Sequence, residues 1–364
     1  MKLRFLLLWV GFWLLGCPAT QAQPATPPRY RNLVMEGGGI RGIAYGGALL
    51  ELEQRGVLAG LTRVGGTSAG AIQAALLAVG YSAQEIIDVV NATPVQRLND
   101  GRFIFFGGTH RLVKEYGWYR GDEFSTYLGE LVARKTKNVH LTLGELHELA
   151  IREPGRFRDL YTTGTNLTQQ RVQVFSHETT PTMRVADAVR ISMSIPLYFR
   201  AVLLDAENKV ITGTPAPGQP VQVLVDGGLL ANYPVDLFDY PRYLPAGTTA
   251  TPDAHGHVFN PETLGLRLDR AEQIPLDNNH APAARRLLAP YDITDFNTYM
   301  GALYTVALEN LNPVQPADWP RTISIDFLNF SPKIKRISDV EKRRLMESGR
   351  KGAQAFLMRQ STQK

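Results

Sequence analysis

The chain has 364 residues, 44% hydrophobic and 20% charged, with a formal net charge of +5. That balance excludes an intrinsically disordered chain, a collagen and a polytopic membrane protein, and the length supplies ample core for a large domain. The basic clusters are short (Arg134, Lys135 and Lys137; Lys333, Lys335 and Arg336; Lys342, Arg343 and Arg344) and lie among acids, which reads as a solvated surface and not as a nucleic-acid interface.

Lys2 and Arg4 precede an apolar run over 5–15 that is too short to span a bilayer comfortably. This predicts a secretion signal over 1–22, followed by a Pro-rich linker over 23–31. Cleavage after Ala22 leaves a chain without cysteine. The competing route uses Cys17, because Leu14-Leu15-Gly16-Cys17 resembles a bacterial lipoprotein box, with Leu15 where a small residue is usual. Both routes place the protein outside the cytoplasm, in the periplasm, at the outer membrane or beyond it. A lone cysteine forms no intramolecular disulfide.

Ordered structure is expected from Asn32. Asn32–Met35 is a short apolar strand followed by glycines 37, 38, 39 and 42. A helix follows, with Ile43, Gly47 and Leu50 on one face and Gly56 as its stop. A second strand near Leu61–Val64 runs into Gly65–Gly70 and another helix to Val79. Ser82 and Glu85 form a capping box for a third helix, and Thr142 and Glu145 form another. This strand–turn–helix repetition predicts a parallel sheet with right-handed crossovers. Further strand signals lie near Leu160–Thr163, Val172–Phe175, Val221–Val225, Leu264–Leu268 and Pro320–Leu328. Residues 241–260 form a polar loop, and an amphipathic helix runs from about Asp339 to Met358. The whole reads as one α/β unit with a helical C-terminal cover.

Gly66-Thr67-Ser68-Ala69-Gly70 fits G-x-S-x-G between a strand and a helix, the setting in which such a serine becomes a nucleophile. The turn forces Ser68 into an unusual backbone conformation at a helix N-terminus, which favours developing negative charge. Gly37-Gly38-Gly39-Ile40-Arg41-Gly42 has two readings. As a dinucleotide fingerprint it lacks the acid expected at the end of the second strand. As an oxyanion hole it offers backbone amides, with Arg41 adding charge, and one such donor is worth ~3 kcal/mol in the transition state. The seven histidines lie in the mixed middle region, after a strand candidate or in late polar loops, and each reads more simply as a surface residue. Asp226, ending the apolar run Val223–Val225 and followed by Gly227 and Gly228, is the better-placed base. A plain turn aspartate bonding its own backbone accounts for the same residues. With an ordinary pKa of about 3.9, a carboxylate is a weak base for an alcohol, and burial must raise it. Phe103–Phe106, Tyr116, Trp118 and Tyr119 suit an apolar lip or, more simply, core packing.

The ordered set of GGGIRG (37–42), GTSAG (66–70) and DGG (226–228) resembles the patatin-like phospholipase family, as does ADAVRISMSIPLYF over 186–199. The resemblance implies a three-layer α/β/α fold with a mainly parallel central sheet, a catalytic domain over 32–240 and a C-terminal extension (241–364) packing on it. It implies a lipid acyl hydrolase with Ser68 as nucleophile and Asp226 as base. Gly37, Gly38, Gly39, Arg41 and Gly42 would form the oxyanion hole, Gly66 and Gly70 the nucleophile elbow, and Gly227 and Gly228 the acid motif. The implied partners are an acyl-ester lipid and a membrane surface, with no metal or organic cofactor. Glu36 stands where many members have Asp. Two other readings stay open: a Ser-His-Asp esterase completed by His257 or His280, and a non-catalytic exported lipid-binding protein.

Overall fold

The structure is a computed structural model that describes residues 30–93, 100, 107–278, 293–294, 296–311, 315–331 and 337–362. Residues 1–29, where the signal, Cys17 and most of the linker were expected, lie outside that set, as do Phe103–Phe106 and His280.

In chain order the strands are β1 (Asn32–Met35), β2 (Arg63–Gly66), β3 (Gly117–Tyr119), β4 (Asp159–Asn166), β5 (Arg171–Phe175), β6 (Leu197–Phe199), β7 (Val202–Leu204), β8 (Gln222–Asp226), β9 (Thr263–Asp269) and β10 (Thr322–Asp326). The helices are α1 (Ala44–Gln54), α2 (Ala69–Ala78), α3 (Ala83–Ala92), α4 (Gly107–Lys114), α5 (Asp122–Thr136), α6 (Leu143–Arg152), α7 (Val185–Ser192), α8 (Gly228–Ala231), α9 (Gln273–Asn278), α10 (Phe296–Leu311) and α11 (Asp339–Thr362). Both expected capping boxes form, at Ser82–Glu85 and Thr142–Glu145.

Eight strands build the central sheet in the order β10-β9-β1-β2-β4-β8-β7, with β5 also paired to β4. The β10, β9, β1, β2 and β4 pairings are parallel, while β8, β7 and β5 join antiparallel. This is the mainly parallel α/β architecture expected. β1 and β9 are buried at every residue, because a parallel centre is covered on both faces. The two faces are covered unequally. Leu33 and Met35 face the main core under the helices, whereas Val34 meets a small cluster of Tyr161, Phe238 and Tyr243 on the other side. Short 3₁₀ turns at Val235–Phe238 and Pro241–Tyr243 cover that second face.

The segment after residue 240 enters the sheet itself. β9 lies directly beside β1, β10 lies beside β9, and α11 packs on α1. The boundary expected at 240 therefore divides one sheet, and 241–364 completes the unit instead of packing on a finished one. Among the described residues no helix is long and apolar enough to cross a membrane.

One feature of the strand order positions the site. β2 runs parallel to β4 and ends with Gly66 opposite Thr162. β8 runs antiparallel to β4 and ends with Asp226 opposite Gly164. β5 takes the other edge of β4 over Thr162–Asn166. β2 and β8 thus share one edge and point at each other, their C-terminal ends two positions apart along β4, or roughly 7 Å.

Candidate active site

Ser68 leaves β2 with φ 51° and ψ −118°, a conformation that L-residues avoid. Such a backbone costs on the order of 1–3 kcal/mol and persists only where its surroundings enforce it. The enforcement is visible. The Ser68 N–H donates to Ser192 Oγ at 3.1 Å, and the Ser68 carbonyl accepts from Ile72 N–H at 3.1 Å. The neighbouring Thr67 N–H donates to the Met35 carbonyl at 3.1 Å, and the Thr67 hydroxyl lies 2.6 Å from Thr163 Oγ1.

Gly66 and Gly70 let the elbow lie against β1. A Cβ on Gly70 would lie 2.2 Å from the Met35 carbonyl oxygen, and one on Gly66 2.5 Å from the same atom. A backbone oxygen in the central strand does not yield. Gly70→Ala is expected to destabilise the fold by about 1–3 kcal/mol or more, read as a lower urea midpoint. A midpoint equal to that of the unmodified chain contradicts this packing.

Asp226 is buried, and its N–H donates to the Ser194 carbonyl at 2.9 Å. Its Oδ1 accepts from Gly228 N–H at 2.7 Å, so the turn bond that a plain aspartate would make is present alongside any chemistry. Its Oδ2 is buried, and the hydroxyls of Ser68 and Tyr304 lie beside the carboxyl. Burial pushes the carboxyl up to about 7, while the Gly228 amide and the Ser68 and Tyr304 hydroxyls beside it pull the other way. Gly227 lies against β4, where a Cβ would meet Thr163 Oγ1 at 2.3 Å. Ser68 and Asp226, far apart in the chain, thus share one dry site.

The glycine loop divides into donors and scaffold. The Gly38 carbonyl accepts from the Arg41 N–H at 3.1 Å and from Arg41 Nε at 3.3 Å. A trans peptide is planar, so the Gly39 N–H points the opposite way from that carbonyl. Among the described residues the N–H groups of Gly38 and Gly39 have no acceptor, and Gly39 holds φ 54°. They are the loop amides left open toward the cleft. Three expected members do other work. The Gly37 N–H is taken by the Asn232 carbonyl at 3.0 Å. Gly42 presses on Ala69, where its Cβ would lie 2.8 Å away, and its carbonyl accepts from Gln73 Nε2 at 2.5 Å. The Arg41 guanidinium lies over the Phe327 ring at 4.6 Å. Through its N–H and Nε, Arg41 aims the Gly38–Gly39 peptide.

Several contributors had no readable sequence signal. Glu36 accepts from Asn232 Nδ2 at 3.1 Å and from Leu268 N–H at 2.7 Å, stapling the glycine loop to β9 and to the residue after α8. Ser192 and Ser194, both in the 186–199 segment, hold the elbow and the acid respectively. Tyr304 lies in helix α10, for which the sequence reading named no element. His257 bonds the Tyr240 hydroxyl at 3.0 Å and does not reach the acid, and among the described residues no histidine acts on Asp226. Of the suggested lip, Tyr116 is exposed, while Tyr119 packs on Tyr198 at 4.9 Å in the small β3–β6 pair.

The family model described as patatin-like phospholipase matches residues 33–239. This chain belongs to the patatin-like phospholipase family. The match runs from β1 to the residue after Val235–Phe238 and so spans the glycine loop, the elbow and the acid motif of this patatin-like unit. "Uncharacterized protein YqhO" of Bacillus subtilis is 35% identical over 229 residues, covering 61% of this chain and 72% of that protein. "Probable lipid hydrolase 463L" of invertebrate iridescent virus 6 is 25% identical over 212 residues, covering 58% of this chain and 64% of the viral one. VipD from Legionella pneumophila shares the fold, with TM-score 0.58 and 18% identity over 91% of this chain and 67% of that structure.

Proposed function

We propose that this patatin-like protein is a serine lipid acyl hydrolase that cleaves carboxylic esters through a Ser68–Asp226 dyad. The observation that carries the reading is the strained Ser68 beside a buried carboxyl raised to about 7, with no histidine acting on that carboxyl among the described residues. Ser68 Oγ attacks the ester carbonyl as Asp226 takes its proton. The amides of Gly38 and Gly39 receive the oxyanion. The proton passes to the leaving alcohol as the intermediate collapses to an acyl-enzyme. Water, deprotonated by Asp226, then releases the fatty acid and regenerates the serine. A carboxylate near neutral pKa suits this work at physiological pH. The family description supports a lipid substrate, and contact with a membrane surface and export from the cytoplasm belong to the same proposal.

A fluorophosphonate probe tests it. Folded protein is expected to label at Ser68 and to turn over at least one member of a panel of phospholipids, neutral glycerides and short p-nitrophenyl esters. His257→Ala is expected to stay active. Absence of labelling in folded protein favours a non-catalytic lipid-binding role, and loss of activity in His257→Ala favours the triad.

A further inference from the structure

We infer that His147, Asp159 and His177 form a divalent-metal site of the kind zinc occupies, separate from the Ser68 cleft. The three come from different elements: His147 from α6, Asp159 from the first position of β4, and His177 from just beyond β5. Each offers one ligand atom, and these atoms lie within 4.8 Å of one another. His147 Nδ1 is 2.7 Å from Asp159 Oδ1, and His177 Nδ1 is 3.6 Å from the same oxygen. His177 Nδ1 is buried and makes no hydrogen bond. The imidazole rings stack with centroids 3.7 Å apart and planes 4° from parallel. Both rings therefore turn a nitrogen toward one carboxylate oxygen.

The donor set suits a divalent metal. Two protonated imidazoles would place like charges face to face at the stacking distance. One divalent ion instead serves both nitrogen lone pairs, and the Asp159 carboxylate offsets part of its charge. Two imidazoles and a carboxylate form a donor set that zinc accepts, with water in the fourth position. Zinc bonds of about 2.0–2.2 Å in tetrahedral geometry place ligand atoms about 3.3 Å apart. The His147–Asp159 contact then opens and the His177–Asp159 gap closes, and the two rings rotate out of their parallel stack so that each in-plane lone pair points at the ion. The side chains of His147, Asp159 and His177 are 35%, 14% and 18% exposed, so an ion can enter from solvent yet sit partly desolvated.

The surroundings are otherwise engaged. The Glu178 carboxylate accepts from the Tyr161 and Tyr243 hydroxyls, each at 2.7 Å. Arg63, the cation facing His177, donates to Asn32 Oδ1 at 3.2 Å and lies over the Tyr243 ring. The cluster sits at the β4 end that pairs with Arg63, whereas the cleft sits where Thr162 meets Gly66 and beyond. The ion would thus be a structural tie joining α6, β4 and the turn after β5, with no part in ester cleavage.

Isothermal titration of the chelator-treated full chain with Zn²⁺ alone tests the site. One ion is expected per chain, with a micromolar or tighter Kd and a raised Tm. His147→Gln and His177→Gln are each expected to weaken binding by roughly 100-fold, and His257→Gln to leave it unchanged. In the unmodified protein, Co²⁺ is expected to give visible d–d absorption that Zn²⁺ abolishes, a readout that does not depend on how the variants fold. Absence of binding at about 100-fold the expected Kd, or binding unchanged in the His147→Gln, His177→Gln double variant, overturns the proposal.

Discussion

Asp226→Asn is expected to lower kcat/KM for acyl esters by roughly 10²–10⁴-fold, the loss that follows removal of a positioned general base, without unfolding the protein. The amide keeps the size of the side chain, and its oxygen still accepts from Gly228 N–H. What it loses is the ability to take the Ser68 proton. In the unmodified chain the carboxyl titrates at about 7. It is neutral and useless as a base below that pH and ionised above it, so kcat/KM should rise as pH increases through about 7. The same burial acts on stability. The folded carboxyl holds its proton up to about 7, whereas the unfolded chain releases it near the ordinary value of about 3.9. Between those values the folded state binds more protons than the unfolded one, so stability declines as pH rises across that window and levels off above it. Asparagine carries no buried charge. Asp226→Asn should therefore melt at the same or a higher temperature at pH 8 while being nearly inactive. Calorimetry alongside a pH–rate profile separates this from simple damage, and an active Asp226→Asn protein removes Asp226 from the mechanism.

Arg321→Met is expected to be the most damaging change outside the cleft, at about 3–5 kcal/mol of stability. Arg321 is buried just before β10. Its guanidinium grips Asp239 bidentately, with both contacts at 2.6 Å, and also donates to Asp318 at 2.6 Å and to the Asn260 carbonyl at 3.2 Å. It therefore joins the end of the early segment to the two late strands. Methionine fills the space but leaves the buried Asp239 and the half-buried Asp318 carboxylates without their cation. Burial already holds the Asp318 carboxyl above the ordinary range, with Arg321 as the main counterweight. The defect should thus be larger at pH 7 than at pH 5, where protonation relieves an unpaired acid. Urea unfolding at the two pH values measures both effects, and an equal loss at each pH argues against a charge origin.

Much of the candidate site was legible because its motifs are local. A glycine run after a strand, a G-x-S-x-G turn and an aspartate before two glycines announce themselves within six residues each. The elbow needs Gly66 and Gly70 on steric grounds that hold wherever the turn is placed, and the capping boxes at Ser82 and Thr142 are complete within four residues. The division of labour in the glycine loop was not legible. Which amide stays open depends on Asn232 taking the Gly37 N–H and on Arg41 turning onto Phe327, and both partners lie nearly two hundred residues or more away. Tyr304 was hidden for the same reason, since one hydroxyl in an apolar helix carries no periodic signal.

The sequence by itself determined the opening strand–turn–helix pattern, both capping boxes, the strained serine turn and membership in the patatin-like family, because these rest on backbone sterics and short-range spacing, whereas β3, β6, β7 and α10 carried no signal it could read. The tertiary structure decided how they meet. β8 runs against β4 so that Asp226 faces the end of β2, and β9 and β10 return from beyond residue 240 to complete the sheet. Strand order and direction are fixed by long-range pairing and burial, which no window along the chain contains.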